Sequence, residues 1–202
     1  MKSPATDLDL NRVEKAFQKR IPGFRGPLDV SKTPQGQSNP TYIISSPSGN
    51  YVLRRKPDGV LLPSAHAVER EYRVMTALSN TELPVPQTIF LCEDPDEIGT
   101  VFFVMEHVPG RVFLDPRLHE LTCQEREVVY DEMNLRLAQL HCLDPEKLGL
   151  RDYGKAGNYF ARQFSRWSRQ YDASATEQIA MMEELQYWLK NNLPGEEGPP
   201  RL

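Results

Sequence analysis

The sequence predicts an α+β fold in which an antiparallel sheet carrying one helix precedes a run of helices. Three observations predict it. Two pairs of short segments rich in β-branched and aromatic residues lie between residues 41 and 105, each pair joined by turn chemistry. A single helical pattern separates the two pairs. Beyond Pro109-Gly110 the apolar residues recur at helical spacing only.

The elements follow in order. Leu8 to Arg20 reads as a short amphipathic helix closed by Ile21-Pro22-Gly23. Thr41–Ser45 and Tyr51–Arg55 form a hairpin around Pro47-Ser48-Gly49-Asn50. Ser64 caps a helix running to Leu78, with Val68, Tyr72 and Met75 as its apolar stripe. Pro84-Val85-Pro86 forces an extended link to a second hairpin, Thr88–Cys92 and Val101–Met105. Thr122 and Glu125 make a capping box for a helix whose core positions are Val129, Met133, Leu137 and Leu140. Asp144-Pro145 stops it. A helix from about Asn158 is expected to bury Phe160, Phe164, Trp167 and Tyr171, and one from about Thr176 to Asn191 presents Met182, Leu185 and Leu189. The expected organisation is an extension over 1–24, a sheet lobe over 25–110, part of a helical lobe over 111–193 and a disordered tail over 194–202.

Composition narrows the function. With 39% hydrophobic and 26% charged residues the chain suits a soluble globular protein. A net charge of -4 gives no electrostatic reason to expect a nucleic-acid partner. Cys92, Cys123 and Cys142 show no CxxC pair, which argues for reduced thiols and against a structural zinc. The longest apolar run, Val101–Met105, is too short to cross a bilayer, and the first residues do not form a signal peptide. A cytoplasmic protein without a membrane partner is the expectation.

The chemistry-bearing residues cluster around the first hairpin. Gly36, Gln37, Ser38 and Asn39 are small or polar residues whose backbone N–H groups can approach anionic oxygens. A loop with one glycine is also an ordinary start to a hairpin. Strand alternation puts Val52 and Arg54 on one face and Leu53 and Arg55 on the other. If Val52 meets a nucleotide base, Arg54 reaches its phosphates; alone, Arg54-Arg55-Lys56 is equally a solvated strand end. On the following helix Glu71 borders the stripe of Val68 and Met75, whereas Glu69 lies farther round, so Glu71 is the expected partner of Arg54. Glu106 to Val108 leave a buried strand just before a forced turn, where backbone groups can meet an adenine edge or simply exit the strand. Arg162, Arg166 and Arg169 form a basic stripe on one helix, a solvated face or a contact for substrate phosphates.

The segments GQSNPTY, VLRRKP, LLPSAHAVEREYRVM, LPVP, VMEHVPG and LAQLHCLD stand in the order found in the aminoglycoside phosphotransferase-like (choline-kinase-like) family, which the chain resembles from about Leu28 to Leu193. LGLRDYGKAGNYFARQFSRWSRQY is similar to the kinase-like domain found in some acyl-CoA dehydrogenase family proteins and in free-standing bacterial relatives. The resemblance implies a bilobal protein-kinase-like fold, ATP with Mg²⁺, and phosphorylation of a hydroxyl on a small molecule, in that subfamily a hydroxylated acyl-CoA. It implies Ser38 and Asn39 for the phosphate cover, Arg54 for the phosphate cation, Glu71 for its partner and Glu106–Val108 for the adenine hinge.

One departure is large. The family's His-Gly-Asp catalytic loop and the Asp-rich metal motif after it do not occur in these residues. Asp152-Tyr153-Gly154 imitates a magnesium motif in the wrong order, so neither a catalytic nor a metal residue is assigned. The expectation is a nucleotide lobe without turnover of its own, and a helical part whose uncovered apolar positions favour self-association. The alternatives are a non-catalytic remnant that binds nucleotide or a partner, and a structural module that docks a dehydrogenase.

Overall fold

The computed structural model describes residues 7–34, 38–59, 66–154, 157–195, 198 and 201. Gly36, the expected helix cap Ser64 and part of the 194–202 tail lie outside them. The chain forms two compact units, residues 1–134 and 135–202.

The first unit is built on a five-stranded antiparallel sheet of β1 (Asp29–Lys32), β2 (Thr41–Ser46), β3 (Gly49–Arg55), β4 (Thr88–Cys92) and β5 (Phe102–Glu106). Its strand order is β1-β2-β3-β5-β4. Both expected hairpins are present, and the four-residue edge strand β1 adds to them. Asp29-Val30-Ser31-Lys32 buries only Val30, so no periodicity announces it. The β2–β3 turn depends on Gly49, whose φ of 137° an L side chain rarely adopts. Ser46 ties this turn by donating from Oγ to the Gly49 carbonyl at 3.1 Å.

Helix α1 (Leu10–Arg20) packs on one face of the sheet. Asp9 caps it, accepting from the N–H groups of Asn11 and Arg12 at 3.0 and 3.2 Å. Val13 and Phe17 are fully buried. The Phe17 ring meets Phe24, Tyr51 and Phe90 edge-on, with centroids 5.4, 5.4 and 5.8 Å away. Tyr42, Ile44, Leu53, Phe102 and Val104 complete this core. Arg55 points the same way and is buried. It donates to both carboxylate oxygens of Asp58, to Asp7 and to the Tyr42 hydroxyl. The Asp58 hydrogen bonds raise its pKa further above the usual guanidinium value against the opposing effect of burial.

Helix α2 (Val68–Leu78) covers part of the opposite face, with Tyr72 edge-on to Phe103 at 5.9 Å. Two cross-strand rows therefore face α2's side of the sheet, Thr41–Arg54–Phe103 and Ile43–Val52–Met105.

Helix α3 (Cys123–Cys142) starts at the expected capping box: Thr122 N–H donates to Glu125 at 2.8 Å and Glu125 N–H donates to the Thr122 hydroxyl at 3.3 Å. The expected core stripe along it is not core. Met133 is 60% and Leu137 51% exposed. Periodicity marks an apolar stripe, but the stripe is buried only where another element covers it, and among the described residues none covers these two.

In the second unit, α4 (Tyr159–Ser174) and α5 (Ala180–Asn191) pack side by side. Phe164, Tyr171, Met182 and Leu189 line an apolar groove of about 340 Å³. The expected burial of Phe160 and Trp167 does not hold: they are 42% and 56% exposed, and Leu185 is exposed too, because among the described residues α5 covers only part of the α4 stripe. Helix α5 begins at Ala180 rather than Thr176, because Ile179 is extended (φ -111°, ψ 102°). The three cysteines are free thiols. No described helix is long and apolar enough to cross a membrane.

Candidate functional site

The β2–β3 register builds the site. Ser46 opposite Gly49 places Thr41 opposite Arg54, so both side chains rise from the same row toward α2. Arg54 donates from Nε to Glu71 Oε2 at 2.5 Å, from one terminal nitrogen to Glu71 Oε1 at 3.4 Å and from the other to the Thr41 hydroxyl at 2.8 Å. A guanidinium carries five N–H donors in one plane; these contacts use three, and the other two have no partner among the described residues. The Thr41 hydroxyl in turn donates to the Asn39 carbonyl at 3.1 Å.

Asn39 is the buried polar centre, only 4% exposed. Its amide nitrogen donates to Glu71 Oε1 at 2.7 Å, and its amide oxygen lies 3.1 Å from His66 Nδ1. A chain of contacts thus joins the segment before β2, strand β3, helix α2 and the residue preceding that helix.

The expected pairing of Arg54 with Glu71 is present. Glu69 instead accepts from Lys56, just past the end of β3, at 2.8 Å, a second cation–carboxylate pair beside the first. Val52 occupies the next row, 9% exposed and opposite Met105. Glu106 is exposed, and its backbone N–H donates to the Gln87 carbonyl at 2.9 Å. His107 N–H reaches the Asn50 carbonyl at 3.4 Å. Val108 is 58% exposed, and its N–H has no backbone partner among the described residues.

Ser38 is exposed beside Asn39. Arg162, Arg166 and Arg169 lie along α4 in the second unit. Arg166 sits over the Trp167 ring at 5.5 Å and Arg169 donates to the Ser165 carbonyl at 3.1 Å. Sequence reasoning missed Thr41 and His66. Thr41 was readable, because the hairpin turn fixes its register against Arg54. His66 was not: it lies outside every strand and helix and adopts φ 57°, a left-handed conformation no periodicity encodes.

A twisted antiparallel sheet with a cation on its central strand, held by a carboxylate on the helix that follows, defines a protein-kinase-like phosphotransferase fold. The chain belongs to the phosphotransferase enzyme family (APH), which matches residues 29–202. It is 45% identical over 198 residues to Acyl-CoA dehydrogenase family member 11 of Gallus gallus, covering 96% of this chain and 25% of that protein. It is 45% identical over 186 residues to Acyl-CoA dehydrogenase family member 10 of Mus musculus, covering 90% and 17%. A crystal structure of a Ralstonia eutropha protein, assigned as an aminoglycoside phosphotransferase, superimposes with a TM-score of 0.78 at 44% identity. That match covers 94% of this chain and 55% of the other. The GDP complex of aminoglycoside 2'-phosphotransferase-IIIa shares the fold at 15% identity and TM-score 0.54, over 92% and 59%. The chain therefore spans a quarter or less of these curated relatives and just over half of the solved structures.

Proposed function

We propose that this chain is the nucleotide-binding part of an ATP-dependent small-molecule phosphotransferase, with residues 25–110 as the nucleotide lobe and 111–193 as the first part of the substrate lobe. The observation that carries this reading is the Arg54–Glu71 pair. Glu71 fixes the guanidinium along one edge, through Nε–H and one terminal N–H, and two further N–H donors have no partner among the described residues. A planar fork so fixed suits phosphate oxygens, which accept two parallel hydrogen bonds.

The flanking residues fit the rest of a nucleotide. Val52 offers an apolar patch for a base two residues before Arg54, on the same face. The N–H of Val108, without a backbone partner among the described residues, and the strand end at Glu106 suit the polar edge of adenine. Ser38 and Asn39, just before β2, are the proposed phosphate cover. Bound ATP would supply the phosphoryl group, and this chain's own residues would orient it and neutralise its charge. Among the described residues no three His, Cys, Asp or Glu side chains come together as a metal-ligand set, so Mg²⁺ is assigned no ligand here. The relatives named for acyl-CoA favour an acyl-CoA ester as the substrate, which must carry a hydroxyl to accept a phosphoryl group, with Arg162, Arg166 and Arg169 as candidates for its phosphates.

Calorimetric titration with ATP tests the reading. Arg54→Ala removes a charge-assisted contact of about 1.5–3 kcal/mol and should weaken binding roughly 10- to 100-fold. Equal affinity of wild type and variant would refute the assignment of Arg54.

A further inference from the structure

We propose that His66 is a positioning residue of this site: held as its Nδ1–H tautomer by Asn39, it locks the Glu71 carboxylate onto Arg54. The inference rests on the reading of Arg54 as the phosphate cation, but its first step is independent of any ligand. A carboxylate only accepts hydrogen bonds, so the group facing Glu71 Oε1 at 2.7 Å is the amide NH₂ of Asn39. The Asn39 oxygen therefore faces His66 Nδ1 at 3.1 Å. An amide oxygen also only accepts, so Nδ1 carries a proton, and in the neutral ring Nε2 does not.

The consequence runs outward from there. Asn39 is buried, so its amide has no water to exchange with, and releasing either bond leaves an unsatisfied buried group. With His66 as its Nδ1–H tautomer the amide is held from both sides: a flip would set its NH₂ against the Nδ1 proton and its oxygen against the Glu71 carboxylate. The Glu71 oxygen that accepts from Asn39 also accepts from Arg54, at 3.4 Å. Orienting the amide thus orients the carboxylate, and the carboxylate orients the fork. The left-handed backbone of His66, φ 57°, aims its ring at Asn39. Asparagine tolerates the same backbone and places its amide nitrogen about where the histidine Nδ1 sits.

Two measurements on the 202-residue chain test this. Nitrogen-15 NMR should show neutral His66 protonated at Nδ1, and His66→Ala should shift or broaden the Arg54 Nε–H resonance while His66→Asn leaves it near the wild-type position. In ATP titration, His66→Ala should lower affinity roughly 2- to 10-fold, the worth of one neutral hydrogen bond, and His66→Asn should restore it. Neither change should matter in an Arg54→Ala background. A neutral ring protonated at Nε2, or an Arg54 resonance indifferent to His66→Ala, overturns the proposal. Unchanged ATP affinity in Arg54→Ala alone would instead overturn the functional reading and leave the NMR result to decide the role of His66.

Discussion

At the scale of single residues, the chain sets its charges by partners rather than by exposure. Glu71 and Thr41 take three of the Arg54 donors and two have no partner among the described residues, whereas a lysine there could not divide itself in this way. Glu97 shows the same economy at the other side of the sheet. It accepts from both terminal nitrogens of Arg20, at 2.6 and 2.7 Å, and from Lys19 at 3.0 Å. The Arg20 bonds hold its pKa at about 2, below the ordinary 4.5. A depressed carboxylate pKa contributes stability that is complete above about pH 4.5 and is lost as pH falls toward 2. Thermal melts of wild type and Glu97→Gln should therefore differ at pH 7, with the gap closing between pH 4.5 and pH 2. A gap constant with pH would show that Glu97 acts without its charge.

At the scale of elements, α1 is the back wall that lets the other face of the sheet be functional. Its Phe17 fills the space among Phe24, Tyr51 and Phe90, and Leu53 from the middle of β3 packs into the same core. Phe17→Ala should cost about 3–5 kcal/mol in chemical denaturation, typical of emptying an aromatic site in a well-packed core. A loss under 1 kcal/mol would mean that α1 is a loose attachment. The sequence made α1 legible as an amphipathic helix but not as a cover for the sheet, because periodicity states which face is apolar and not what meets it. The hairpins were legible because Gly49 and the alternation of Tyr51–Arg55 fix turn and face together. That alternation also made the Arg54–Glu71 pair legible. β1 and His66 were not, since one has no apolar period and the other no regular backbone.

At the scale of the whole molecule, the two units differ in how well their apolar residues are covered. Residues 1–134 hold the fully buried Val13, Phe17, Tyr42, Leu53 and Phe102, whereas Trp167, Tyr187 and Trp188 in the second unit are more than half exposed. Spacing located apolar residues on α3, α4 and α5 but not their burial: Met133, Leu137, Phe160 and Trp167 were expected in a core and are exposed among the described residues. The Arg54–Glu71 cluster lies wholly within the first unit, so the proposed nucleotide contacts can be examined there residue by residue. The most direct measurement is an ATP titration of the nitrogen-15-labelled chain followed by NMR. The account predicts that the amides of Val52, Arg54 and Val108 and the Arg54 Nε–H move together and saturate, while Val13 and Phe17 on α1 stay fixed. Shifts centred on α1, or none at millimolar ATP, would contradict it.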